Sequence, residues 1–168
     1  MQTWPERFPE LFAADYWGWG DLDVRFQTEA PPDELISNVH VIGRTDGGIV
    51  VCGNDLGWRF LPGGTREPGE TIEQAAAREV FEEAGIRCTT KADYLFCQPW
   101  PFPSSLMIGL ILEADEGDIT VDESELETAR WFTREETASM MAGTNPDAFP
   151  PMPFAIAHHV IKAWLERG

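Results

Sequence analysis

The sequence predicts an α/β domain in which helices cover both faces of a mixed β-sheet. Strand-like and helix-like segments alternate along the chain, and two of the helix starts carry capping-box signatures. The segment Leu106–Leu112 is an almost continuous apolar run, which is typical of a strand that is buried on both faces. The length of 168 residues fits one compact domain rather than two.

The strands are predicted after residues 1–33, an aromatic-rich stretch without clear periodicity that ends in two prolines. We expect this stretch to be an N-terminal extension packed on the domain or on a partner subunit, and residues 34–168 to form the domain. A hairpin is predicted from Ile36–Arg44, a turn at 45–48, and Ile49–Gly53. Shorter strand candidates are Trp58–Leu61, Ile119–Val121 and Arg130–Phe132.

Three helices are predicted. Thr71 and Gln74 fit a capping box for the first helix, and Gly85 supplies its end. Thr133 and Glu136 fit a second box, which opens a helix to about residue 141. The last helix, about 154–166, is expected to turn one apolar face inward, formed by Phe154, Ala157, Ile161, Trp164 and Leu165.

Charge and cysteine content narrow the range of partners and locations. The formal net charge is −17, with two lysines, and this argues against DNA and long RNA because nucleic-acid affinity comes from Lys and Arg neutralising phosphates. The three cysteines lack a C-x-x-C spacing, so we expect reduced thiols in the cytoplasm. No stretch approaches the ~18 apolar residues of a membrane span, and residues 1–12 do not resemble a secretion signal.

The helix predicted after Thr71 carries carboxylates on its buried side. On a helical wheel at ~100° per residue, Glu79 and Glu83 fall in or beside the apolar face and Glu82 lies at its edge. Unpaired charges there would cost several kcal/mol or become protonated. The residues alone leave two compensations open: a structural ion-pair network with Arg78 and nearby arginines, or divalent cations held between the carboxylates.

The loop before this helix favours the cations. Gly63, Gly64 and Gly69 permit backbone approaches that side chains would block, and Glu70 adds another carboxylate at the helix start. Residues 64–86 resemble the Nudix box, G-x5-E-x7-R-E-U-x-E-E-x-G-U, where U is a bulky aliphatic residue. The fixed positions all match, at Gly64, Glu70, Arg78, Glu79, Val80, Glu82, Glu83, Gly85 and Ile86.

The resemblance implies a Nudix hydrolase, an α/β/α sandwich that binds one to three Mg²⁺ or Mn²⁺ ions and uses water to attack phosphorus in a nucleoside diphosphate joined to another group. It implies that Glu79, Glu82 and Glu83 are metal ligands, and Gly64 is assigned to the same site. Glu82 or Glu83 would also help to activate the water. Arg78 would orient Glu70 through an ion pair.

A second motif runs from Gln98 to Ser105, QPWPFPSS. Its alternating prolines predict an extended loop that holds Trp100 and Phe102 rigidly, either as a core-packing corner or as a base-binding loop. The segment resembles the SQPWPFPxS array of the NADH pyrophosphatase branch of the Nudix family, with Cys97 in place of the leading Ser. The resemblance implies a further metal-binding glutamate at Glu125, and substrate contacts at Gln98, Trp100, Phe102, Ser104, Thr65 and Ala157.

Three features differ from that branch, one of them the flank Leu61-Pro62-Gly63-Gly64, which looks more like the general Nudix pattern. The four-cysteine zinc module of the branch has no counterpart in these 168 residues, so no zinc is expected, and Thr65 stands where the branch has a stacking Phe. The remaining histidines are expected to be structural (His40) or to lie at the surface or a pocket edge (His158 and His159).

The predicted function is therefore metal-dependent cleavage of the diphosphate of NADH, NAD⁺ or a related small nucleotide. ADP-ribose, nucleoside triphosphates and sugar nucleotides are the alternatives within the family. A non-catalytic nucleotide sensor is the alternative from another class, and the intact carboxylate set argues against it. Members of the family often form homodimers, for which the aromatic N-terminus is a candidate interface.

Overall fold

The computed structural model describes residues 3–18, 21–25, 29, 31–54, 57–101, 104–121 and 128–167. The strands are β1 (Asp15–Trp17), β2 (Leu22–Val24), β3 (Asn38–Arg44), β4 (Ile49–Asn54), β5 (Gly57–Phe60), β6 (Gly63–Thr65), β7 (Cys88–Pro101), β8 (Ser104–Ala114) and β9 (Thr128–Phe132). The helices are α1 (Trp4–Arg7), α2 (Pro9–Phe12), α3 (Ile72–Ala84), α4 (Arg134–Met141) and α5 (Ile156–Glu166), with a 3-10 turn at Asp33–Leu35.

Seven strands form the main sheet, in the order β5-β4-β3-β8-β7, with β6 beside β3 and β9 beside β4. The central pair, β3 and β8, is parallel, while the other neighbouring strands are antiparallel. Helix α3 contacts β3 and β7, and α5 contacts β8 and β3. The sheet is therefore mixed and lies between helices, which confirms the predicted α/β architecture.

Alternation along the strands divides the core into two clusters, one on each face of the sheet. Val39 and Val41 of β3 pack with the α3 cluster, whereas Ile42 packs with the α5 cluster. In β8, Leu110 faces α3 and Ile111 faces α5. This burial confirms that the apolar run at 106–112 is a strand covered on both sides.

The helix starts form as their side chains predict. The Thr71 hydroxyl accepts a bond from the Gln74 amide at 3.2 Å, and the Gln74 side chain accepts one from the Thr71 amide at 2.9 Å. Gly85 ends α3 with φ of 68°, in the left-handed region that favours glycine. Thr133 and Glu136 make the same reciprocal pair at the start of α4. Both capping-box predictions are confirmed.

Two predictions in the C-terminal half are wrong. Ile119–Val121 is not a strand, because the Thr120 amide bonds to the Ala84 carbonyl at the end of α3 instead of to a neighbouring strand. Phe154 is not on the buried face of the last helix, since α5 begins at Ile156 and Phe154 is 60% exposed. Ile156 and Val160 occupy that face together with the predicted Ile161 and Trp164.

The proline-rich segment continues a strand rather than forming a loop. Residues 98–101 extend β7 and pair with β8, with Gln98 opposite Met107 and Trp100 opposite Ser105. The prolines are tolerated because β7 lies at the edge of the sheet, where some amides need no strand partner. Phe102 lies outside the described residues.

The N-terminal segment packs on α5. Phe8 and Phe12 are buried in the α5 cluster, and Arg7 pairs with Glu166 at 2.6 Å. The boundary between residues 1–33 and 34–168 stays a prediction. None of the helices described has the length and apolar character that crossing a membrane requires.

Packing at Gly109 gives a test of the sheet–helix interface. A Cβ at Gly109 would lie 2.5 Å from Cγ2 of Val160 on α5, so we expect Gly109→Ala to lower the free energy of unfolding by about 1–3 kcal/mol. Gly117→Ala is the control, because its Cβ would meet only Ile86, at 4.0 Å. Urea denaturation measures both variants, and equal midpoints would contradict the packing described here.

Candidate active site

The carboxylates of α3 gather beside β6. Glu79 and Glu83 are 6% and 8% exposed, and Glu82 points outward with 48% of its side chain exposed. This is the arrangement that the helical wheel predicts. The helix thus carries two buried acidic groups and one accessible acidic group along one edge.

Arg78 lies at the centre of these carboxylates. Its Nε and Nη2 bond to the two oxygens of Glu70 at 2.8 and 3.1 Å, and its Nη1 reaches Glu79 at 3.0 Å and Glu82 at 2.7 Å. Its Nη2 also donates to the carbonyl of Thr65 at 2.9 Å. The hydrogen bonds from Arg78 hold the pKa of the Glu70 carboxyl below its usual value. The Arg78–Glu70 pair is the one that the resemblance implies, while its part in catalysis stays a prediction.

Counted over the described site residues, the ion pairs of Arg78 compensate only part of the acidic charge. Glu70, Glu79, Glu82 and Glu83 together with Arg78 sum to a formal −3. Arg66, which donates to the Glu70 carbonyl at 3.2 Å, reduces the sum to −2. A cluster with this surplus charge attracts cations.

Two neutral donors of the described residues approach Glu83. The Gly63 amide lies 3.4 Å from its Oε1 and the Cys52 sulfur 3.9 Å from its Oε2. Burial raises the pKa of the Cys52 thiol well above its usual value, and the Glu83 charge raises it further. Cys52 is therefore a neutral thiol that adds no charge to the site.

The backbone of β6 borders the cluster closely. A Cβ built on Gly64 would lie 2.6 Å from Cδ of Glu79, so a side chain at this position would displace the carboxylate. Carboxylate and main-chain carbonyl oxygens are the hard ligands that Mg²⁺ and Mn²⁺ prefer. The donor set of Glu79, Glu82, Glu83 and Gly64 therefore fits a divalent cation.

The described carboxylates lie near one another but do not converge on one metal-binding position. Within the described ranges, no three His, Cys, Asp or Glu side chains converge as a metal site, because Glu79 and Glu82 turn oxygens toward Arg78. Glu125, the remaining predicted ligand, falls in the stretch 122–127, outside the described residues.

Of the predicted substrate-binding residues, Gln98, Trp100, Thr65 and Ala157 lie on the α5 face of the sheet or on α5 itself. Trp100 packs against Phe154 with ring centroids 6.3 Å apart, and Ala157 packs half-buried against the α5 cluster. Thr65 is exposed on β6, and its hydroxyl lies 3.5 Å from Nδ2 of Asn38. Ser104 begins β8, but its side chain lies outside the described part of the structure.

The Gln98 amide is bound at both ends to the chain entering α5. Its Nε2 donates to the Phe154 carbonyl at 2.7 Å, and its Oε1 accepts from the Ile156 amide at 3.0 Å. Gln98 is only 1% exposed. These bonds fix the start of α5 against β7, and a direct contact of Gln98 with substrate stays a prediction.

His159 lies beside Gln98 at the edge of a cavity of about 260 Å³, so its predicted pocket-edge position is confirmed. Its Nε2 lies 2.7 Å from the Pro153 carbonyl. Burial lowers the pKa of His159 to about 4, and the ring is therefore neutral at physiological pH. Arg25 of the N-terminal segment lies on the cavity wall as well.

Sequence reasoning missed one group of polar residues on the α5 face. The Ser105 hydroxyl donates to Oδ1 of Asn38 at 2.6 Å and lies 2.9 Å from the Ser37 hydroxyl. Ser105 belongs to the proline-rich array and could have been found from it. Asn38 and Ser37 become visible only once β3 is placed beside β8.

Residues 36–153 match the family described as NUDIX domain. The α/β fold and the carboxylate-rich helix α3 agree with this match. The chain belongs to the Nudix family. Its sequence is 48% identical over 114 residues to the NAD-capped RNA hydrolase NUDT12 of Homo sapiens, covering 64% of this chain and 24% of the relative. It is 41% identical over 116 residues to the NAD-capped RNA hydrolase NudC of Chromobacterium violaceum, covering 64% and 39%. The matched region is thus about a quarter to two-fifths of the length of these relatives.

Solved structures agree on the fold. The pyrophosphohydrolase BsRppH of Bacillus subtilis aligns with a TM-score of 0.65 at 21% identity, covering 92% of this chain and 96% of that one. A putative Nudix hydrolase family member from Chromobacterium violaceum aligns at 0.53 and 22%, covering 81% and 80%. The predicted Nudix family and its α/β fold are therefore confirmed.

The two hydrogen bonds from Gln98 to the start of α5 can be tested by measuring the stability of a variant. Gln98→Leu leaves the buried Ile156 amide without its acceptor, so we expect a loss of about 1–3 kcal/mol in the free energy of unfolding. Thermal and urea denaturation measure the change. A variant as stable as the parent would show that these hydrogen bonds do not hold the segment.

Proposed function

We propose that this protein is a divalent-metal-dependent pyrophosphohydrolase that cleaves the diphosphate of NAD⁺, NADH or a related nucleoside diphosphate compound. The observation that carries the proposal is the surplus of acidic charge where Glu79, Glu82 and Glu83 meet the glycine backbone of β6. Among the described residues, Arg78 neutralises these buried carboxylates only in part, and a helix with a purely structural role gains little from such a cluster. Mg²⁺ or Mn²⁺ ions bound there would neutralise that charge and would also bind a diphosphate.

Each residue then has a role in the cut. Glu79, Glu82, Glu83 and the Gly64 carbonyl would hold the cations, with Glu125 as a further ligand. Bound cations supply neutralisation of the charge that develops on the phosphate oxygens and make water a better nucleophile. Glu82 or Glu83 takes the proton of the attacking water. Arg78 keeps Glu70 and the Thr65 carbonyl in place, so that β6 and α3 hold their spacing.

The substrate class rests on the α5 face and on the relatives. The array at 98–105 places Trp100 against Phe154, beside the start of α5, where an aromatic edge and half-buried Ala157 suit a heterocyclic base. The similar proteins carry the name NAD-capped RNA hydrolase. NAD⁺ and an NAD-capped RNA contain the same diphosphate. Because the chain has a formal charge of −17, extended RNA contacts are disfavoured, and we propose the free dinucleotide as the main substrate.

Substitution of the site carboxylates tests the enzymatic proposal. We expect Glu82→Gln and Glu83→Gln each to lower kcat about 100-fold or more, since each removes a group that acts on charge in the transition state. Glu73→Gln, on the same helix but away from Arg78, is the control and should keep parental turnover. The measurement is hydrolysis of NADH with increasing Mg²⁺ or Mn²⁺. Parental turnover and unchanged metal dependence in both variants would rule out this active site.

Product analysis tests the substrate class. Incubated with Mg²⁺ or Mn²⁺, the protein should convert NADH to AMP and reduced nicotinamide mononucleotide faster than it hydrolyses ADP-ribose or nucleoside triphosphates. A short NAD-capped RNA belongs in the same panel. Monophosphate and inorganic pyrophosphate formed chiefly from triphosphates would favour the alternative hydrolase. Binding without turnover across the panel would indicate a nucleotide sensor.

A further inference from the structure

Strand β6 separates two chemically different surfaces. Gly64 faces α3, where its backbone abuts the Glu79 carboxylate. The Thr65 hydroxyl lies on the opposite face, within reach of the Asn38 amide. Since successive residues of a strand point to opposite faces, a substrate that crosses β6 would have its diphosphate at the carboxylates and its remaining groups on the α5 face.

The strand register identifies the residues of that second surface. Thr65, Asn38, Met107 and Gln98 are direct neighbours across four adjacent strands. His40 is two residues beyond Asn38 and lies opposite Gly109. A Cβ at Gly109 would point at Val160 of α5. His40, which lies opposite Gly109, is therefore on the α5 face of the sheet. Asn38 and His40 therefore lie on the α5 face between β6 and the proline-rich array.

Asn38 connects the two motifs by hydrogen bonds. Its Oδ1 accepts from Ser105 of the array at 2.6 Å, and its Nδ2 lies 3.5 Å from the hydroxyl of Thr65 in the box. The latter contact is long and exposed, and an amide nitrogen carries two hydrogens. Asn38 can thus donate to a ligand while Ser105 holds its orientation.

His40 adds a second polar group beside Asn38. Its Nδ1 is shielded from solvent and makes no hydrogen bond within the described residues, while the residue as a whole is partly exposed. Burial lowers the pKa of His40, so the ring is neutral and offers one donor and one acceptor. The sequence predicts a structural role for His40, but a structural histidine at this depth normally has its ring nitrogens paired.

We propose that Asn38 and His40 are specificity-determining residues that bind the ribose hydroxyls of a nucleotide on the α5 face. The hydroxyl and amide groups of Ser37, Asn38, Thr65 and Ser105 form an uncharged polar strip, which suits a neutral diol rather than a phosphate. This inference rests on the proposed function, since it assumes that the diphosphate reaches the carboxylates across β6.

Steady-state kinetics of substituted variants test the role of Asn38. We expect Asn38→Ala to raise KM for NADH about tenfold and to change kcat less than threefold, as for a lost binding contact of about 1.4 kcal/mol. Asn38→Asp, which keeps the acceptor for Ser105 but loses the donor, should show the same rise. Thr89→Ala, exposed elsewhere on β7, is the control.

A substrate that lacks the contacted hydroxyl gives a more specific test of the contact. A deoxyribose analogue of NADH should be a poorer substrate than NADH for the parent protein, but should lose nothing further with Asn38→Ala, since the two changes remove one shared contact. Independent, additive losses would overturn the inference. Circular dichroism and melting curves establish that each variant is folded.

Nuclear magnetic resonance tests His40 without turnover. The chain has three histidines, so His40→Gln assigns the His40 ring signal. Titration with AMP and with nicotinamide mononucleotide, in the absence of metal, should shift this signal while His158 stays in place. An unmoved His40 signal together with an unchanged KM for Asn38→Ala, in a protein that cleaves NADH, would reject the inference and leave the proposed function standing. A shifted signal in a protein that cleaves no dinucleotide would reject the proposed function and retain the nucleotide-binding surface.

Discussion

The hydrogen bonds of one guanidinium, that of Arg78, hold the candidate site together. They join three carboxylates of the α3 region to the Thr65 carbonyl of β6. A planar fork with five N–H donors can make these contacts at once, whereas a lysine ammonium lacks both the reach and the directions. The spacing between β6 and α3 therefore depends on this side chain. Gly64 complements it, because the absence of a Cβ lets the strand approach Glu79.

The clustering of carboxylates lowers the stability of the fold but serves the proposed metal binding. Acidic groups that crowd a helix edge repel one another, and Arg78 relieves the repulsion only in part. Of the two interpretations left open by the sequence, the ion-pair network is present among the described residues, while cations held between the carboxylates stay a prediction. Local conflict of this kind is expected where function rather than folding selects the residues.

Local signals explain what could be predicted from the sequence. The capping pairs Thr71–Gln74 and Thr133–Glu136 act within four residues, and the burial of Glu79 and Glu83 follows from helical periodicity, so each was visible in the chain. Long-range pairing was not visible. The loop expected at 98–105 is largely strand because β8 supplies its partners, and Asn38 meets Ser105 across 67 positions of sequence. Phe154 was misplaced because the bonds of Gln98 delay the start of α5 until Ile156.

The division at β6 has a consequence for specificity. Under the proposed function, the carboxylate side would be constrained by the charge of the diphosphate, which is common to many nucleotides, whereas the strip next to β6 on the α5 side contains neutral groups such as Asn38 and Thr65. Changes on the α5 face would then alter which nucleotide is bound without disturbing Arg78 and its partners. In the proposed enzyme, binding energy gained there would also orient the scissile bond, because a strand with a one-residue step connects the two surfaces. Thr65 belongs to both, with its carbonyl on Arg78 and its hydroxyl beside Asn38, and the two faces are mechanically linked through it.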